Sequence, residues 1–152
     1  MAEATVRTFS SSGRSVLSDV RRFVAEASPH PSPGFIEDLQ LAVTEACANV
    51  VHHAYPGGQG DFLCECQATA GEILIRVSDW GIGTDQPSAK PGLGLGIPLI
   101  ERLSDYVTQT HSHGVTLVEM HFARFGVPGE PCNPGSTGRP IVPALDRIRS
   151  DR

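Results

Sequence analysis

Residues 62–79 hold two runs of alternation joined at a turn. Phe62, Cys64, Cys66 and Ala68 alternate with Leu63, Glu65, Gln67 and Thr69. After Ala70-Gly71, Ile73, Ile75 and Val77 alternate with Glu72, Leu74 and Arg76. Alternation of period two puts successive side chains on opposite faces, so this segment is predicted to be an antiparallel hairpin. Around it the chain divides into elements. Residues 4–9 read as a first strand. Val16, Leu17, Val20, Phe23, Val24 and Ala27 fall at helical spacing, with Ser11 or Ser12 as the cap and Ser28-Pro29-His30-Pro31 as the stop. A second helix opens with Ser32 as N-cap and Pro33 in its first position. Its apolar stripe runs through Ile36, Leu39, Val43, Cys47, Val50 and Ala54 and ends before Pro56-Gly57-Gly58. A third helix is predicted from about Ile97 to Leu103, and a last hairpin at 105–111 and 115–122 turns at Ser112-His113-Gly114.

A length of 152 residues suits one domain, long enough to bury a core without metal or disulfide staples. No apolar run approaches the length of a membrane span, and no basic start followed by an apolar stretch marks a secretory signal. A cytoplasmic protein without membrane attachment is the expectation. Net charge is −5 with a pI near 5.6, which argues against direct nucleic-acid binding. The four cysteines, Cys47, Cys64, Cys66 and Cys132, lack zinc-site spacing and read as reduced thiols, small and buried. Residues 1–125 are read as the domain. From Gly126 to Arg152 the chain turns rich in Pro and Gly and poor in large apolar residues. Such a segment buries too little to offset its ordering, so 126–152 is expected to be a flexible, dispensable tail.

Three groups of residues suggest chemistry. Glu45 and Asn49 lie four apart on the second helix and so share a face, with His53 four further on. An Asn oxygen suits a hard cation such as Mg²⁺, and a Glu can take a proton from an attacking hydroxyl. Asp79-Trp80-Gly81-Ile82-Gly83 closes a strand, where a carboxylate can accept from an adenine amino group and glycines let backbone come close. Gly92-Leu93-Gly94-Leu95-Gly96 leads into a helix start, whose free N–H groups favour phosphate. Its spacing fits a dinucleotide fingerprint poorly, and no Walker A sequence is present.

Each group alone also fits an ordinary surface or turn; their order is the informative feature. Glu-x-x-x-Asn on a helix, a hairpin, Asp-x-Gly-x-Gly, a loop, Gly-Leu-Gly-Leu-Gly, a helix, then Gly114-Val115-Thr116 resembles the Bergerat-type ATP-binding domain of gyrase, MutL and histidine kinases, the GHKL group. Within it, the stretch from Leu39 to Asn49 and His53-Ala54-Tyr55 are most similar to the anti-sigma factor serine kinases of the RsbW/SpoIIAB type. The resemblance covers about residues 5–123.

It implies an α+β fold, a two-layer α/β sandwich with helices on one face of a mostly antiparallel sheet. It also implies ATP and Mg²⁺ as cofactors. On this resemblance Glu45 is the general base and Asn49 holds Mg²⁺. Asp79 binds the adenine amino group, Gly81 and Gly83 shape the pocket, and Thr116 sits near the adenine. Gly92, Leu93, Gly94, Leu95 and Gly96 close over the phosphates, and His53 matches the family's pattern better than His52. Lys90, with Arg14 or Arg21, is a candidate γ-phosphate or partner contact. The implied activity is phosphorylation of a serine or threonine on a STAS-domain anti-anti-sigma factor, with sequestration of a sigma factor and a homodimeric state. The alternative is an ATP-binding anti-sigma module that transfers nothing. Trp80 is read as packing beside the nucleotide loop. His111, His113 and His121 lie on or between the final strands; His111 and His113 would share a face if both were on a strand, but no third metal ligand is evident.

Overall fold

The computed structural model describes residues 3–28, 32–69, 71–82 and 96–123. The tail 126–152, the glycine loop up to Leu95 and Cys132 lie outside the described residues.

Five strands form one sheet: β1 (Glu3–Ser10), β2 (Asp61–Ala68), β3 (Glu72–Asp79), β4 (Tyr106–Ser112) and β5 (Val115–Ala123). Their order is β1-β2-β3-β5-β4, and every neighbouring pair is antiparallel. Two of the neighbouring pairs are joined by short turns. His113 and Gly114 both take the left-handed conformation, at φ 53° and 77°, which is the geometry of a two-residue hairpin turn. This places His113 in the turn, as the Ser112-His113-Gly114 reading expected, and off the strand that carries His111. Elsewhere the chain crosses over. It leaves β3, passes through helix α3 (Gly96–Leu103), reaches the far edge as β4 and returns as β5 between them.

The inner face of the sheet is stacked in rows set by the register. Arg7, Cys64, Val77, Val118 and Gln109 form one row, and Thr5, Cys66, Ile75, Met120 and Val107 the next. The central members of both rows are buried. Helices α1 (Val16–Ala27) and α2 (Pro33–Asn49) contribute Val20, Phe23, Val24, Leu39, Val43 and Cys47 to the same core, and α3 contributes Ile100. Phe62 stacks on Phe9 at 5.7 Å, and Phe9 meets Phe23 edge-on at 5.9 Å. Burying each such ring stabilises the fold by roughly 2 kcal/mol. Opposite-face residues alternate with these and carry charge: Glu65, Arg76 and Glu119 stand side by side on β2, β3 and β5.

The helix ends depart from expectation in two places. α1 starts after Ser15, whose hydroxyl donates to Asp19 instead of capping backbone. Ser11, one of the two expected caps, accepts the Gly60 N–H at 3.0 Å and so ties the end of β1 to the start of β2. The second helix does not run on as α to Tyr55. From Val50 to Ala54 it widens into a π turn, a rare form that is common at functional sites. The Ser32 cap and Pro33 at the helix start are as predicted, with Ser32 Oγ accepting the Phe35 N–H.

Candidate nucleotide-binding site

One inner row differs from the rest. Phe9, Phe62, Asp79, Thr116 and His111 are register partners across all five strands, and the row passes from apolar to polar. Asp79 and Thr116 are each only 5% exposed, and with Ser28 they are the buried polar residues among those described. His111 Nδ1 lies 2.8 Å from Thr116 Oγ1. Sequence reasoning gave His111 no role; the cross-strand pairing with Thr116 that reveals it requires the register of the last hairpin. Among the described residues no cluster of His, Cys, Asp and Glu has the makings of a metal site.

Asp79 Oδ1 accepts the Gly81 N–H at 2.9 Å, closing a tight turn at the end of β3. Burial raises the Asp79 carboxyl above its ordinary value, and the Gly81 bond and nearby His111 pull it back only in part. The second oxygen retains acceptor capacity, as a carboxylate has several lone-pair sites. A buried acceptor of this kind suits an amino group far better than a carbonyl.

The turn is fastened to the end of the second helix. Ile82 N–H donates to the Ala54 carbonyl at 2.9 Å. A Cβ on Gly81 would lie 2.2 Å from that same oxygen, so only glycine permits the approach. Tyr55 adds a second tie: its hydroxyl donates to Asp61 O at 2.6 Å and accepts the Trp80 N–H at 3.1 Å. A depression of about 390 Å³ lined by Tyr55, Pro56, Gln59, Trp80 and Ile82 lies beside the turn.

Glu45, Asn49 and His53 are all half-buried along the second helix, whereas His52 is exposed. Oxygen donors at Glu45 and Asn49 fit a hard cation such as Mg²⁺ in chemical type. Gly96 is the first residue of α3. Gly83, Lys90, Gly92, Leu93, Gly94 and Leu95 lie outside the described residues. Trp80 is half-exposed beside the turn, and Arg14 and Arg21 are exposed. Cys47, Cys64 and Cys66 are buried free thiols; burial pushes Cys66 up to about 11 and Cys47 well above the ordinary range.

Comparison with known proteins gives this geometry its context. A sequence model of the histidine kinase-like ATPase domain matches residues 10–122. Proteins named serine-protein kinase RsbW from Bacillus thuringiensis (strain Al Hakam) and Bacillus cereus (strain 03BB102) are each 31% identical to this chain, over 55% of it and 61% of their own length. The chain thus spans about 61% of the length of the curated relatives it matches. A solved structure of the RsbU and RsbW domains of a Mycobacterium tuberculosis protein shares the fold, with a TM-score of 0.58 at 20% identity, covering 79% of this chain and 32% of that one. The sheet order, the buried Asp79 row and the matched span together show that the chain belongs to the histidine kinase-like ATPase domain family.

Proposed function

We propose that this protein is an ATP-dependent serine/threonine kinase and anti-sigma factor. It phosphorylates a STAS-type anti-anti-sigma partner, sequesters a sigma factor, and works in the cytoplasm as a homodimer. The observation that carries the nucleotide reading is the Gly81–Ala54 approach, which fastens the buried Asp79 turn to the end of the helix bearing Glu45 and Asn49. An acceptor for the base and a polar helix face for the phosphates are thereby joined through backbone.

In this reading Asp79 accepts a hydrogen bond from the adenine amino group, and Thr116 lines the adenine's surroundings. Asn49 would hold Mg²⁺, which when bound offsets charge on the phosphates. Glu45 orients the attacking hydroxyl and takes its proton as that oxygen bonds to the γ-phosphorus and the bond to the ADP oxygen breaks. Phosphoryl transfer relies mainly on positioning and electrostatics, so a few well-held groups suffice. The RsbW name of the relatives, serine-protein kinase, supports the choice of acceptor class.

A second reading, a non-catalytic ATP-binding module that captures its partners, has the same nucleotide site and no need of Glu45. Capture of partners from the native host, followed by incubation with radiolabelled ATP and Mg²⁺, separates the two. The kinase reading expects label on a serine or threonine of a STAS-domain protein, lost in Glu45→Ala while ATP binding is kept. A captured STAS protein that stays unlabelled favours the module.

A further inference from the structure

The end of the β2–β3 ladder is interrupted by a side chain. Phe62 and Asp79 are register partners, so the next pair outward is Asp61 and Trp80. The Tyr55 hydroxyl stands between the backbone groups of that pair. It accepts the Trp80 N–H at 3.1 Å and donates to the Asp61 carbonyl at 2.6 Å. Each backbone group keeps a partner, yet the two strands part at this point. β3 can then leave the sheet and turn through Gly81 against Ala54, the residue before Tyr55.

The seat of Tyr55 is built closely. A Cβ on Gly60 would lie 2.4 Å from the ring, so the loop before β2 comes as near to Tyr55 as a glycine permits. The Gly58 N–H donates to the Tyr55 carbonyl at 3.2 Å and closes the turn that leads to Gly60. The hydroxyl is therefore delivered from the end of the π turn by groups on both sides. A phenylalanine would fill the same space and bridge nothing.

We infer that Tyr55 is a positioning residue that sets the Asp79–Gly81 turn for base recognition, by inserting its hydroxyl into the β2–β3 ladder. The inference rests on the nucleotide reading above. Tyr55 touches neither Glu45 nor Asn49 in the bonds described, so its influence falls on the base half of the site and spares the phosphate half. Loss of the hydroxyl leaves the Trp80 N–H and the Asp61 carbonyl to close on each other or on water. Either outcome disturbs the end of β3 that carries Asp79, and a buried directional contact is sensitive to such a change.

Trp80 is the chain's single tryptophan, so its emission reports on this turn alone. Tyr55→Phe and Gly60→Ala, which crowds the ring while keeping the hydroxyl, are compared with the wild-type chain. Two readouts are taken: acrylamide quenching of Trp80 without nucleotide, and affinities for Mg²⁺-ATP and Mg²⁺-GTP. Both variants are expected to quench more readily and to bind ATP about tenfold more weakly, the scale of one or two hydrogen bonds. GTP affinity is expected to stay within twofold, because a merely structural defect would weaken both nucleotides alike. Unchanged quenching and ATP affinity in Tyr55→Phe, or equal losses for ATP and GTP, would overturn the assignment of Tyr55. Failure of the wild-type chain to bind ATP would instead overturn the nucleotide reading, and this role with it.

Discussion

The carbonyl oxygen of Ala54 and the α-carbon of Gly81 are so close that a methyl group between them would sit 2.2 Å from the oxygen. The contact joins the end of a helix to the end of a strand, 27 residues apart in sequence, and the Ile82 N–H completes it with a 2.9 Å bond to the same oxygen.

Gly81→Ala is expected to be damaging for that reason. The clash is with backbone, which has no rotamer to escape into. A destabilisation of about 1–3 kcal/mol follows from overpacking of this kind, or several degrees in Tm. Gly34→Ala provides the contrast: it lies in α2, nothing approaches its missing Cβ, and alanine is the better helix former. It should raise stability by about 0.5–1 kcal/mol. Thermal melts of the two variants check both directions.

Asp79→Asn should separate stability from binding. Burial raises the Asp79 carboxyl in the folded chain, so its contribution to stability is greatest in acid and is lost as pH rises through the folded-state value. Asparagine removes this handicap. The variant is expected to melt no lower than wild type at pH 7, with any advantage vanishing toward pH values below the ordinary 3.8. Its ATP affinity should fall by about ten- to a hundredfold, because an amide cannot replace a carboxylate as an all-acceptor group. Melts across pH and calorimetry with Mg²⁺-ATP make the comparison.

Acid stability should depend on the outer face of the sheet. Arg76 donates to Glu119 at 2.7 Å and to Glu65 at 3.1 Å, while His121 lies between Glu72 and Glu119. Burial by itself would raise the Glu119 carboxyl, but the bonds from Arg76 and His121 outweigh it and hold the group below its ordinary value. A lowered carboxyl stabilises the fold above its unfolded value and ceases to do so as pH falls through the folded one. Glu119→Gln should therefore flatten the loss of stability below about pH 4.5. Arg76→Met should destabilise the chain at pH 7, by about 1–3 kcal/mol, since it leaves two half-buried carboxylates facing each other. Urea titrations at pH 7 and pH 3.5 read both effects.

The three core thiols should resist alkylation. Cys47, Cys64 and Cys66 are buried, and the raised Cys47 and Cys66 groups hold little thiolate at pH 8. Iodoacetamide labelling mapped by mass spectrometry is expected to reach these three only in denaturant. Rapid labelling of any one of them in the native chain would show that the core opens on that timescale.

Periodicity by itself determined most of the elements. The α1 stripe marked Val16 to Ala27, the two alternations marked β2 and β3 within a residue, and Ser32 with Pro33 marked the start of α2. These features are local: a repeat of 3.6 or 2 states which way each side chain faces its own element's partner layer. The Glu45–Asn49 pairing was legible for the same reason, since one turn of helix decides it. Tertiary structure decided what crosses between distant segments. The return of β5 between β3 and β4 placed Thr116 beside Asp79 and His111 beside Thr116. The end of the helix widened to a π turn where Ala54 and Tyr55 meet the end of β3, and no repeat within the helix announces that. Ser11, one of two candidate caps, bonds Gly60 instead, because that neighbour exists only once β1 and β2 have paired. A one-dimensional pattern records which face is apolar; the identity of the group opposite depends on the register and order of strands, and these emerge only when the layers pack.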